Sequence, residues 1–120
     1  MQPFAIRTEN KMKTEDLLKI SGITAVVPVE SKEISGIYCC DILGNALGKL
    51  RSGNAWITVS SGINSLAIAF QKDASCLIIA DNMPINNELI HTASDFKINL
   101  FSSKMPVFET AYVIGKAMDL

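Results

Sequence analysis

Ala55-Trp56-Ile57-Thr58-Val59, Cys76-Leu77-Ile78-Ile79-Ala80 and Lys97-Ile98-Asn99-Leu100-Phe101 are three short apolar stretches whose spacing decides the fold. Each reads as a strand bounded by polar turn-formers. Trp56, Ile78 and Leu100 recur at a constant step of 22 residues. Behind each stretch come a polar turn and apolar residues at helical spacing: Ile63, Leu66, Ala67 and Phe70; Ile85, Leu89, Ala93 and Phe96; Val107, Ala111, Ile114 and Met118. This alternation predicts an α/β fold with three consecutive βα units in the carboxyl-terminal half, their strands parallel, adjacent and joined by right-handed crossovers. The unbroken apolar run over residues 76–80 predicts a central strand covered on both faces, in a two-layer or three-layer sheet. Pro106 suits the first turn of the last helix, where its missing N–H costs nothing.

Outward from this block, the amino-terminal half is less regular. Thr14, with Glu15 and Asp16 ahead of Leu17, Leu18 and Ile20, reads as a capped short helix that Gly22 ends. Residues 23–29 carry β-branched side chains and stop near Pro28, which predicts a short strand, whereas residues 31–36 are polar and turn-like. Asp41 is placed to cap a helix built on Leu43, Ala46, Leu47 and Leu50, interrupted by Gly44 and Gly48.

The chain has 120 residues, enough for one domain with its own core, and is 48% hydrophobic and 19% charged, as packed globular proteins are. A formal net charge of −1 removes the electrostatic argument for nucleic acid or an anionic membrane as partner. No apolar run approaches the length that spans a bilayer, and the opening Met1-Gln2-Pro3-Phe4 lacks the charged head and apolar core of a signal peptide. The expectation is a cytoplasmic protein. Cys39, Cys40 and Cys76 form neither an even-numbered disulfide framework nor a Cys-x-x-Cys motif. With His91 as the sole histidine, no four-ligand metal set emerges, so no metal and no cofactor are expected.

From Lys32 onward the chain resembles the DRTGG domain, a small α/β module related in fold to the amino-terminal domain of HPr kinase/phosphorylase. The resemblance rests on Ser31-Lys32-Glu33-Ile34-Ser35-Gly36, Tyr38 with Asp41-Ile42-Leu43, Gly53-Asn54-Ala55-Trp56-Ile57-Thr58, Asn64 and the last two βα units. Where the family favours Asp-Arg and Thr-Gly-Gly, this chain has Ser31-Lys32 and Ser35-Gly36-Ile37. The resemblance implies one DRTGG-like domain over residues 1–120, with a helix-and-strand region over 1–31 and the family-like region over 32–120. It also implies a regulatory or ligand-responsive role, in some relatives as an accessory to iron-only hydrogenase systems, and brings no catalytic residue. Lys32, Ser35, Gly36, Tyr38 and Asp41, on the signature segment, become candidates for a ligand or subunit contact.

Three polar turns share one edge of a parallel sheet: residues 60–64, 81–84 and 102–104. Ligands of open α/β sheets bind outside the carboxyl ends of the strands, where helix amino termini offer free N–H groups. Ser60, Ser61, Gly62 and Asn64, with Asp81, Ser102 and Lys104, are therefore the candidate rim for an anionic small molecule or nucleotide. The same residue types are the preferred helix caps, so capping stands beside binding as a reading. No phosphate loop of the Gly-x-x-x-x-Gly-Lys-Ser/Thr kind and no Gly-x-Gly-x-x-Gly motif is present. His91 reads as a solvated helix residue and Trp56 as core. The leading expectation is a regulatory or ligand-binding module without catalytic activity of its own, acting as a homodimer or through a protein partner. The alternatives are a small cysteine-dependent redox protein and a structural assembly subunit with Ile37 and the paired cysteines at an interface.

Overall fold

The computed structural model describes residues 12–120. Its centre is a five-stranded sheet in the order β2-β7-β6-β5-β4, from β2 (Ile23–Ala25), β4 (Gly36–Cys39), β5 (Asn54–Thr58), β6 (Cys76–Ile79) and β7 (Leu100–Ser103). Strands β4 to β7 are parallel, and β2 closes the far edge antiparallel to β7. Beside this sheet, β1 (Met12–Lys13) and β3 (Glu33–Ile34) form a small antiparallel pair.

The connections explain the layering. Helices α1 (Leu43–Lys49), α2 (Ile63–Gln71) and α3 (Asn87–Asp95) each carry the chain to the next parallel strand. Right-handed crossovers that always step the same way put all three on one face. There Ala46, Leu50, Leu66, Ala69, Leu89 and Ala93 meet Trp56, Leu77, Ile79 and Leu100. Helix α4 (Val107–Ala117) has no further strand to reach and crosses the other face. It packs with a six-residue 3-10 turn, Thr14–Lys19, so that Leu17, Ile114 and Met118 cover Ala55, Ile57, Cys76, Ile78 and Phe101. The fold is therefore three-layered, and every residue of β6 is buried, as its apolar run requires.

The three βα units stand as expected, while several boundaries and local readings differ. The third strand begins at Leu100 rather than Lys97, because Lys97 (φ 55°) closes α3 and Ile98 N–H donates to Ala93 at 2.8 Å. The strand expected over residues 23–29 is only Ile23–Ala25. The stretch read as a turn over 31–36 contains β3 and the start of β4; Ile34 is buried, and its polar neighbours face outward. Asp41 does not cap α1, whose N-cap is Ile42 with no side-chain bond. Its carboxylate instead accepts from Thr58 Oγ1 (2.8 Å) and Val59 N–H (3.0 Å), pinning the end of β5 to the end of β4.

Candidate functional site

Four parallel strands deliver their carboxyl ends to one edge, and most of the residues expected to form the rim arrive there together. Ser60, Ser61 and Gly62 lead from β5 into α2, Asn64 lies in the first turn of α2, Asp81 follows β6, Ser102 lies on β7 and Lys104 follows it. The polar groups are partly engaged with one another. Thr58 Oγ1 accepts from Ser60 N–H (3.1 Å), and Ser65 Oγ donates to Ser60 Oγ (2.9 Å). On the β7 side the Ser103 and Thr110 hydroxyls lie 2.8 Å apart, and Ser103 Oγ accepts from Met105 N–H at 3.1 Å. Thr58, Ser65, Ser103 and Thr110 were not singled out from the sequence. Each is a buried hydroxyl: Thr58 and Ser65 bond to Ser60, Ser103 follows Ser102, and Thr110 bonds to Ser103, a grouping visible only once the strands are aligned.

Two backbone features shape this edge. Asp81 (φ 62°) and Asn82 (φ 53°) both adopt the left-handed conformation, which Asp and Asn tolerate better than most residues. Their N–H groups donate to Met105 (2.8 Å) and Ser103 (2.9 Å), so the turn after β6 is clamped to the turn after β7. At α2 the N-cap is Gly62, with no side-chain cap bond. A Cβ placed on Gly62 meets nothing within 4 Å, and its φ of −87° suits any residue. The amino end of α2 therefore opens outward with its positive dipole end uncovered by a side-chain cap. Helix α3 differs, because Asn86 Oδ1 accepts from Leu89 N–H at 2.9 Å.

The signature candidates are not gathered into one place. Lys32 and Ser35 lie toward the amino edge of the sheet, Gly36 and Tyr38 on β4, and Asp41 at the carboxyl edge. At about 3.3 Å per extended residue, such a segment spans the sheet from edge to edge. Ser35 Oγ donates to Ser52 O at 3.3 Å, and a Cβ on Gly53 (φ 84°) would lie 2.6 Å from it, so that close crossing demands glycine.

The cysteines differ in setting. Cys76 is fully buried in β6, and burial pushes its thiol up to about 12. Cys39 is exposed on the edge strand, yet loss of solvent and then the Asp41 carboxylate raise its thiol above the ordinary value. The Tyr38 phenol is also raised, first by its bond with Cys40 and then by loss of solvent. Thiols shifted upward are poor nucleophiles at neutral pH. His91 is exposed on α3, and Trp56 is buried, with Nε1–H donating to Cys40 O at 2.9 Å. No group of three or more His, Cys, Asp or Glu able to hold a metal occurs among the described residues.

An open cleft of about 950 Å³ lies at the opposite, amino edge, lined by Gly48, Lys49, Leu50, Arg51, Ser52, Gln71 and Lys72. Its floor is fixed, since Ser52 Oγ donates to Asp73 Oδ2 (2.7 Å) and Arg51 N–H to Asn54 Oδ1 (3.1 Å). The convergence of three cations on one hollow is not legible in the sequence, because Lys72 lies 21 residues beyond Arg51 at a different helix end and each reads individually as a cation that favours a helix carboxyl terminus.

No family model matches the chain, and no curated protein matches it by sequence. Among solved structures, it superposes on the CBS and DRTGG domains of the regulatory region of Clostridium perfringens pyrophosphatase, complexed with the activator diadenosine tetraphosphate. The TM-score is 0.79 at 15% identity, covering 98% of this chain and 52% of that one. The fold is DRTGG-like. The chain spans about half the length of that regulatory region. Among the described residues, no helix is long and apolar enough to cross a membrane.

Proposed function

We propose that this chain is a regulatory, ligand-responsive module of the cytoplasm, without catalytic chemistry of its own, that takes an anionic nucleotide or phosphorylated metabolite and acts through a second copy or a protein partner. The observation that carries this reading is the α2 amino terminus, open and without a side-chain cap at the carboxyl edge of a DRTGG-like sheet. A phosphate seated there meets backbone N–H groups and the positive end of the helix, with the Ser60 and Ser61 hydroxyls beside it and Lys104 across the edge. The neighbouring structure belongs to a regulatory region complexed with a nucleotide activator, which supports the same class of ligand. The raised thiols of Cys39 and Cys76 weigh against the cysteine-dependent alternative.

A second placement of the anion is favoured by one specific observation, the convergence of Lys49, Arg51 and Lys72 on the amino-edge cleft. The carboxylates of Asp73 beside that cleft and of Asp41 and Asp81 at the other edge oppose an anion at each place, so charge alone does not rank them.

Calorimetric titration with ATP, diadenosine tetraphosphate and pyrophosphate decides between the placements. Gly62→Val adds side-chain bulk where the unliganded protein has open space near Cβ, and so is expected to fold. With the rim as the site, this variant binds at least about tenfold more weakly because close backbone approach is blocked, while Arg51→Gln with Lys72→Gln binds normally. The reverse pattern moves the site to the cleft. Absence of any thermal shift with nucleotides or phosphorylated metabolites overturns the ligand-responsive reading.

A further inference from the structure

Helix α4 buries Thr110 and Ile114, followed by Met118 at its carboxyl cap, against the sheet and leaves Phe108 75% exposed and Tyr112 57% exposed. The two rings lie one helical turn apart, stacked with centroids at 6.1 Å and planes inclined by 25°. A single exposed apolar residue is ordinary, but two stacked aromatic rings on one outward helix face make a patch of the kind that interfaces use. Glu109 in the first turn and Lys116 in the last are also exposed. Being seven residues apart, they lie about two turns from each other on the same stripe, with Tyr112 and Val113 midway between them.

We infer that α4 is the contact face of a homodimer in which two copies of the helix pack antiparallel across a two-fold axis between Tyr112 and Val113. That axis sets Glu109 of each copy level with Lys116 of the other, giving two opposite-charge pairs. The Tyr112 rings meet near the centre, and each Phe108 lies level with the short side chain of Ala117 on the second copy. A parallel arrangement in register would instead set glutamate against glutamate and lysine against lysine. The charge pattern thus selects the antiparallel, self-complementary contact that an isologous dimer needs. The aromatic stack supplies the apolar centre, and the ion pairs fix its register.

Sedimentation equilibrium on the unliganded protein tests this independently of ligand binding. The wild type is expected to dimerise, and Phe108→Ala with Tyr112→Ala to remain monomeric with unchanged circular dichroism, because both side chains are exposed. Glu109→Lys is expected to raise the dimer Kd about tenfold or more by facing lysine with lysine. The double reversal Glu109→Lys with Lys116→Glu restores it to within about threefold, a coupling that only facing residues show. A wild type that stays monomeric, a dimer insensitive to Glu109→Lys, or a double reversal no better than the single one overturns the proposal. A dimer unaffected by these changes but broken at the open edge of β4 assigns the contact to the signature segment instead.

Discussion

The two halves of this molecule are held in different ways. From β5 to α4 the chain is fastened by continuous apolar packing: Trp56, Ile57, Leu77, Ile78, Ile79, Leu100 and Phe101 have no exposed surface. The amino-terminal part buries Leu17, Ile23 and Ile34 in the core and is tied in addition by a polar clasp at the amino edge of the sheet. Asn99, buried on the sheet side, accepts from Glu30 N–H (2.7 Å) and donates to Glu30 O (2.8 Å) and Ser75 O (2.9 Å). Thr14 Oγ1 donates to the same Glu30 carbonyl at 2.7 Å and accepts from Lys32 N–H at 3.0 Å, while Ser75 Oγ donates to Glu33 O. Continuous apolar packing dominates one half; in the other, a few buried apolar anchors are supplemented by directional bonds.

The largest expected effect comes from breaking the apolar half. Trp56→Ala should destabilise the whole protein by about 3–5 kcal/mol in urea unfolding, since it leaves a cavity between the sheet and its helices. Next in size, Asn99→Ala leaves the Glu30 and Ser75 groups without their partner and should cost about 2–3 kcal/mol. Its signature is regional: hydrogen-exchange protection should fall over residues 12–34 before it falls in β6. Uniform loss of protection would mean that the two halves are not held separately.

This difference also explains what could be read from the sequence. The apolar half announces itself through period and spacing, so its strands, helices and parallel order were legible from Trp56, Ile78 and Leu100. The clasp has no period. Thr14, Ser75 and Asn99 are isolated polar residues whose burial depends on partners up to 69 residues away, and the pair β1–β3 went unseen for the same reason. At the carboxyl edge, the placement of Ser60, Gly62, Asp81 and Lys104 followed from topology alone. The role of Asp41 did not, because an acidic residue ahead of an apolar helical pattern signals a cap whether its carboxylate turns to that helix or to the neighbouring strand.

Smaller effects sharpen the contrast through pH. The Cys76 thiol stays neutral in the folded protein to about 12, whereas its ordinary value is 9.0. Stability is therefore insensitive to this group below the ordinary value and falls above it, as the unfolded chain ionises while the folded one does not. The decline is about 1 kcal/mol per pH unit just above that point, and it should disappear from the difference curve of Cys76→Ala. In the other half, the Asp16 carboxylate is lowered chiefly by accepting from Lys13 N–H, with Lys19 beside it at 3.3 Å. Its contribution is present above the unfolded carboxylate value and lost as pH falls through the folded one. Being only partly buried and solvent-screened, it should give the smallest shift, seen as a weaker acid dependence of melting in Asp16→Asn.

Amide chemical-shift mapping during a titration with ATP tests the central claim, that the carboxyl edge of the sheet receives an anion, most directly. The expected result is a saturable set of shifts concentrated at Ser60, Ser61, Gly62 and Asn64, extending to Asp81 and Lys104, with the amides of Gly48–Ser52 and Lys72 unmoved. Shifts confined to the amino-edge cleft, or no saturable shift at all, would contradict it.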